Sequence, residues 1–557
     1  MTSAPLVLAL LLLAAAPAPG PSSAEVAWLR RPTGQAVLGA SLRPGSWGWV
    51  RLTVGQKGGA PFLPGLGQLV RGSEHRVLGA PMLDSGVRSY LIPFRPMIGA
   101  GAPGLVVGGQ LAGQAPDLVG PEDGRLAAVV GRLPVTVPAG LAISQVDPAE
   151  LPEYPAAYEG LDVLVIGELD GAGLTAVQRQ ALKTWFRGGG KVFIVSAAAR
   201  AALADVFFGR GLAGQGAVAW DQWKLLTGAA DADVAAWAGE GAARAPLAVR
   251  FRVGFGRGAY LWPAAWTAEE GGVAWSAYNW LLESGRQPPA IPAVDKALYQ
   301  DFPRLRGELF GAEAALRWAL GVALALSAAG AVCWRRSRPW RFAGAVAAAA
   351  LVAAVLVAGL ARLPEGRALS VRIDEFSSDG AGVRARQLLY LERSDLGWQA
   401  EVRCARGVLP SAVLAQWEEG GEFASTLRLP APGTGDGPRL AGLGLGPGGG
   451  LLVGAGPLPM AAPLGERPAD ARALGALRRE ACIAAVADCL SAANGRCRAQ
   501  AETLAGWIWQ DLESRGLLDG AAAVYVCRLP EEAPALVPAG RVQAESLGRL
   551  GIFFSGG

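Results

Sequence analysis

The sequence predicts a multidomain membrane protein. It reads as a β-sandwich and a doubly wound α/β unit outside the membrane, a hairpin of two transmembrane helices, and an α+β region again outside. Three observations predict this. The chain opens on an apolar run with no charge before Glu25, it carries two long uncharged runs near its middle, and a strand–capped helix–strand pattern lies between. The expected organisation is a signal peptide over 1–24, a β-sandwich-like domain over 25–122 and an α/β unit over 124–285. A linker over 286–315, a transmembrane helix over 316–334, a cytoplasmic loop over 335–341, a second helix over 342–361 and a C-terminal α+β region over 366–557 complete it.

A chain of 557 residues is too long for one domain. Its mean hydropathy of +0.29 leans towards a membrane protein, with the excess gathered in three short stretches. The net charge of +4 is close to neutral at this length, and no basic stripe interleaves with aromatics, so nucleic acid is excluded as a partner. Leu6 to Ala16 is apolar but short for a bilayer, and Ser22-Ser23-Ala24 supplies the small residues a signal peptidase requires.

Residues 25–122 show short apolar stretches, such as those around Trp49–Val54 and Tyr90–Phe94, cut by Gly and Pro without helical periodicity. That is the pattern of an antiparallel β-sandwich. The single histidine, His75, has no second histidine to share a site with and reads as a surface residue.

The segments 125–130, 142–146, 161–166 and 191–195 are apolar runs suited to buried parallel strands. Before the last of them, Thr175-Ala176-Val177-Gln178 is a capping box. Leu174, Val177, Ala181, Leu182 and Trp185 follow on one apolar face, and Gly188-Gly189-Gly190 ends the helix. Strand, helix, glycine and strand form a βαβ unit.

The stretches Tyr158-Glu159-Gly160-Leu161-Asp162-Val163-Leu164-Val165-Ile166 and Leu182–Val195, with Gly254-Phe255-Gly256-Arg257-Gly258-Ala259-Tyr260-Leu261 further on, resemble the class I glutamine amidotransferase-like domain. The version most similar is that of exported bacterial membrane proteins, which implies a β-sandwich before the domain and transmembrane helices after it. Catalytic members of the family use a cysteine on a strand-to-helix turn, activated by a histidine. This sequence offers Ser196-Ala197-Ala198-Ala199 at that turn, its first cysteine is Cys333, and His75 lies outside the unit. Glu168 and Asp170, after the third strand, are the remaining candidates for carboxylate-assisted chemistry. The reading is a pseudoenzyme with no catalytic, cofactor-binding or metal-ligating residues. Gly442–Gly446 lacks the Lys-Ser/Thr of a phosphate loop, and no Cys-x-x-Cys pair is present for zinc.

Trp318–Trp334 and Phe342–Leu360 are uncharged runs that as helices would span about 26 and 28 Å, near the thickness of a hydrocarbon core. Arg335, Arg336, Arg338 and Arg341 between them predict a cytoplasmic loop, with both flanks extracytoplasmic. Beyond the hairpin, 369–373 and 387–391 read as strands, 430–470 as irregular, about 469–515 as helical and 522–527 as a strand. Cys404, Cys482, Cys489, Cys497 and Cys527 leave disulfide connectivity and buried thiols equally open.

The expected function is that of a non-catalytic, membrane-anchored protein of the bacterial inner membrane, binding an envelope protein partner or a ligand and holding no cofactor. An exported hydrolase or transferase using a serine or carboxylate is the first alternative. A ligand sensor relaying through the hairpin is the second.

Overall fold

In the computed structural model the described residues fall within 28–261, 277–282 and 366–556, with single positions and short pieces between 302 and 351. Strand dominates them, in sheets of three, seven, seven and eight strands. The signal segment 1–24 lies outside the described residues, as does the loop 335–341 apart from Trp340.

This corrects the predicted fold class, and with it the integral two-helix membrane partnership and the inner-membrane location. A crossing helix needs about 20 continuous apolar residues. Among the described residues no helix is long and apolar enough to cross a membrane. The longest, Arg498–Ser514, has 17 residues and carries Arg498, Glu502, Asp511 and Glu513 along its length. Most of the two uncharged runs lies outside the described residues, which hold only short helical pieces of them.

The centre of the fold is a mixed seven-stranded sheet. Its spatial order is Val234–Ala238, Ala245–Val253, Gly256–Leu261, Lys191–Ile194, Val163–Ile166, Leu126–Val130, Ala142–Val146. The last five run parallel, and Ala245–Val253 and Val234–Ala238 extend the sheet antiparallel. Leu126–Val130, Val163–Ile166 and Lys191–Ile194 are buried at every position because both faces of the sheet are covered. The helix α1, Ala176–Arg187, starts where the capping box places it. The Thr175 hydroxyl accepts the Gln178 amide at 3.2 Å, and Gln178 Oε1 accepts the Thr175 amide at 2.9 Å. The Gln178 side chain is buried because its amide group also donates to the carbonyls of Pro148, Ala149 and Leu151, tying α1 to the preceding loop.

The flanking regions are not two separate domains in space. Glu74–Gly79 from the N-terminal region pairs in parallel with Ser425–Arg428, Arg76 lying opposite Ser425 and Leu78 opposite Leu427. That pairing completes the eight-stranded sheet, which runs from Leu536–Ala539 through to Gln110–Leu111. One apolar core joins Trp47, Val50, Leu52, Ile92 and Phe94 to Leu389, Val402, Leu409, Leu440 and Leu536. The predicted self-contained β-sandwich is therefore replaced by a three-stranded antiparallel sheet, Trp28–Ala36, Gly48–Gln56 and Gly86–Phe94, and by strands completed from the C-terminal half.

The third large sheet belongs to the C-terminal half. Gly366–Phe376 lies at its middle, antiparallel to Val383–Arg393 and parallel to Val542–Gly556. The predicted helical stretch is two helices, Arg479–Ser491 and Arg498–Ser514, which cover one face through Val486, Leu504, Ile508 and Leu512. Two stretches within 430–470, expected to be irregular, are strands: Arg439–Gly444 and Gly450–Gly456. Their glycines admit close neighbours. A Cβ on Gly454 would lie 3.0 Å from the Leu536 side chain.

The central unit is gripped from both sides. The Arg43 guanidinium donates to both Asp162 oxygens, at 3.2 and 2.7 Å, and Arg51 pairs with Glu150. The Trp49 indole N–H donates to the Glu150 carbonyl at 2.8 Å. On the other side, the turn between Ala245–Val253 and Gly256–Leu261 reaches into the C-terminal half. Gly254, at φ +65°, donates its amide to Asp379 Oδ2 at 2.7 Å, and Phe255 meets Phe554 edge-on at 5.8 Å.

Candidate functional site

In an open α/β sheet, ligands bind beyond the carboxyl ends of the strands, where successive connections leave to opposite faces. Numbered along the chain, the parallel strands lie in the order 2-1-3-4-5, which puts that point between Leu126–Val130 and Val163–Ile166. Here the backbone closes on itself. The Arg132 amide donates to the Glu168 carbonyl at 2.9 Å, and the Glu168 amide donates to the Arg132 carbonyl at 2.7 Å. Two glycines allow the approach. Gly131 sits at φ +78° with its would-be Cβ 2.2 Å from the Glu168 oxygen, and a Cβ on Gly167 would lie 2.3 Å from the Arg132 oxygen. Gly131→Ala is expected to cost about 2–4 kcal/mol, because an L side chain meets both a disfavoured φ and a backbone oxygen. A urea-unfolding midpoint unchanged from wild type would show that the bridge does not matter.

The strand Lys191–Ile194 leads directly to Ser196, at the turn where the family resemblance implies the reactive residue. Ser196 has extended backbone angles, φ −128° and ψ 132°, and is buried. Its hydroxyl accepts the Ala199 amide at 3.3 Å, which makes it the N-cap of the helix α2, Ala197–Ala202. One turn on, the buried Arg200 guanidinium lies 4.9 Å from the Tyr260 ring centroid and 5.6 Å from that of Trp223. The Trp223 and Tyr260 rings stack at 5.9 Å, and Phe208 closes on Trp223 at 4.9 Å. The space beyond the fourth and fifth strands thus holds a desolvated cation between aromatic faces. Burial pushes the Tyr260 hydroxyl up to about 12, against the pull of Arg200, so it stays protonated at neutral pH.

The residues singled out from the sequence fall as follows. Ser196 and Glu168 follow neighbouring strands, joined by the Val195 amide donating to the Ile166 carbonyl at 3.0 Å. Glu168 is exposed, and Asp170 lies outside the described residues. His75 is on the strand Glu74–Gly79 opposite Leu69, in a different sheet from Ser196. Cys404 is a buried free thiol, pushed up to about 12 by burial, and Cys527 is buried among Phe376, Leu529 and Phe553. Cys497 and Cys333 lie outside the described residues. Among the described residues no group of three His, Cys, Asp or Glu side chains is placed to hold a metal ion. Sequence reasoning missed Arg200, Trp223 and Tyr260. The available signal was a lone arginine inside the alanine run 197–202, where a solvated position would be expected to carry more polar neighbours.

Comparison with protein-family models, curated proteins and solved structures returns no match.

Proposed function

We propose that this chain is a non-catalytic binding protein, its α/β unit an amidotransferase-like scaffold without the cysteine–histidine pair, engaging a protein partner or ligand through its outer surface. The observation that carries this reading is Ser196. A serine nucleophile needs a base about 2.6–3.2 Å from its hydroxyl and sits on a strained strand-to-helix elbow. Ser196 is unstrained and accepts a hydrogen bond from its own helix. The next polar side chain along that helix, Arg200, is a permanent cation that takes no proton. The Arg132–Glu168 backbone bridge at the switch point adds support, since Gly131 and Gly167 there serve a backbone contact and present no side chain for chemistry.

The test is labelling of the full chain with a fluorophosphonate probe, alongside Ser196→Ala. Equal background labelling of the two proteins is expected, as is the same set of cross-linked cellular partners for both. Labelling of the wild type that disappears in Ser196→Ala would overturn the reading, as would glutamine hydrolysis above background.

A further inference from the structure

We propose that Glu159 is the proton-responsive member of a clasp that fixes the N-terminal sheet to the α/β unit, so that this joint holds more tightly in mildly acidic than in neutral solution. The geometry is that of a loop held from two sides. Towards the strand Gly86–Phe94, Arg95 Nε donates to the Gly45 carbonyl at 2.8 Å, and the Gly45 amide donates to the Pro96 carbonyl at 2.7 Å. Towards the α/β unit, Arg43 grips Asp162, the Trp47 amide donates to Glu159 Oε2 at 3.3 Å, and the Gly160 amide donates to the Trp47 carbonyl at 3.1 Å. Trp47 itself is buried in the core shared by the two halves of the chain. The two carboxylates of the clasp are unequally served. Asp162 receives both guanidinium nitrogens of Arg43 and the Leu126 amide at 2.8 Å, whereas Glu159 receives one long backbone bond.

Glu159 is faced by Arg95 from beyond the strand Gly86–Phe94 and by Arg384 from the strand Val383–Arg393. Both favour the ionised carboxylate, yet loss of solvent outweighs them and the Trp47 bond together, raising the group from 4.5 to about 6. The sign follows from linkage. A carboxyl whose value is raised in the closed joint favours closure fully below 4.5, and this contribution is lost as pH rises through 6. The difference corresponds to a change of about 30-fold in the closed-to-open ratio. A protonated carboxyl still accepts the Trp47 amide, so closure keeps its hydrogen bond while shedding a charge on a half-buried side chain.

The experiment is amide hydrogen exchange on the full chain between pH 4.5 and 7.5, corrected for intrinsic rates, in peptides covering 43–48 and 158–162. In the wild type, protection there is expected to fall by about 15-fold across this range. In Glu159→Gln, which keeps the acceptor without the charge, it should stay at the acidic-pH level throughout. Peptides from the helix Arg498–Ser514 serve as the control and should not follow the same profile. A flat wild-type profile overturns the proposal whether or not the variant folds, and so does a variant that retains the wild-type slope.

Discussion

Replacing Asp374 by alanine is expected to cost about 3–5 kcal/mol of stability, read as a lowered urea midpoint and melting temperature. Register is the reason. Arg372 on Gly366–Phe376 lies directly opposite Arg549 on the parallel strand Val542–Gly556, and both side chains are buried. Two guanidiniums side by side inside a sheet repel unless acids stand between them. Asp374, wholly buried, receives Arg372 Nε at 2.8 Å and also Arg549 Nε. Glu532 closes the ring from the rim, 3.1 Å from Arg372 and 2.7 Å from Arg549. The four charges sum to zero, and removing Asp374 leaves a net buried cation with too few acceptors. Asp374→Leu combined with Arg549→Met removes one charge of each sign and should recover most of the loss. A single variant as stable as the wild type would show that the ring holds no buried charge.

The same sheet illustrates what the sequence discloses and what it hides. Leu126–Val130, Val163–Ile166 and Lys191–Ile194 were readable because a strand covered on both faces needs nearly continuous apolar residues, a pattern contained within each segment. The start of α1 was readable for the same local reason, since Thr175 and Gln178 are three residues apart and cap each other. Arg372, Asp374 and Arg549 are charged residues on strands, and all three are buried. Their burial follows from a pairing between segments 175 residues apart, and local pattern carries no trace of it. The uncharged runs 318–334 and 342–360 misled in the opposite way: absence of charge alone predicted crossing helices, whereas among the described residues no helix is long and apolar enough to cross a membrane. At the candidate site, Ser196 was legible as the residue after a strand. Its role as an N-cap, and the filling of the space beyond it by Arg200, Trp223 and Tyr260, depend on tertiary packing.

Residues 25–311 expressed alone should fail to reach their native fold, and adding 366–557 as a separate chain should restore it. In the intact protein, Glu74–Gly79 has Pro64–Val70 on one side and Ser425–Arg428 on the other. Without the C-terminal half that strand becomes an open edge, a template for aggregation. The loss extends beyond the edge. Trp47, Leu52, Leu66 and Phe94 would lose the partners that bury them, because Ala400, Val402, Leu440 and Leu536 belong to the same core. Phe255, lodged against Phe554, would be stripped as well. The capped helix and the parallel strands of the central sheet have contacts within the fragment, so they should persist as secondary structure without cooperative packing. The expected signature is retained far-UV circular dichroism, lost near-UV signal and binding of a hydrophobic dye, each reversed when the two pieces are co-refolded. A fragment that unfolds cooperatively, with exchange protection over Glu74–Gly79 equal to that in the full chain, would show that the shared sheet is a contact between independent domains and not one folding unit.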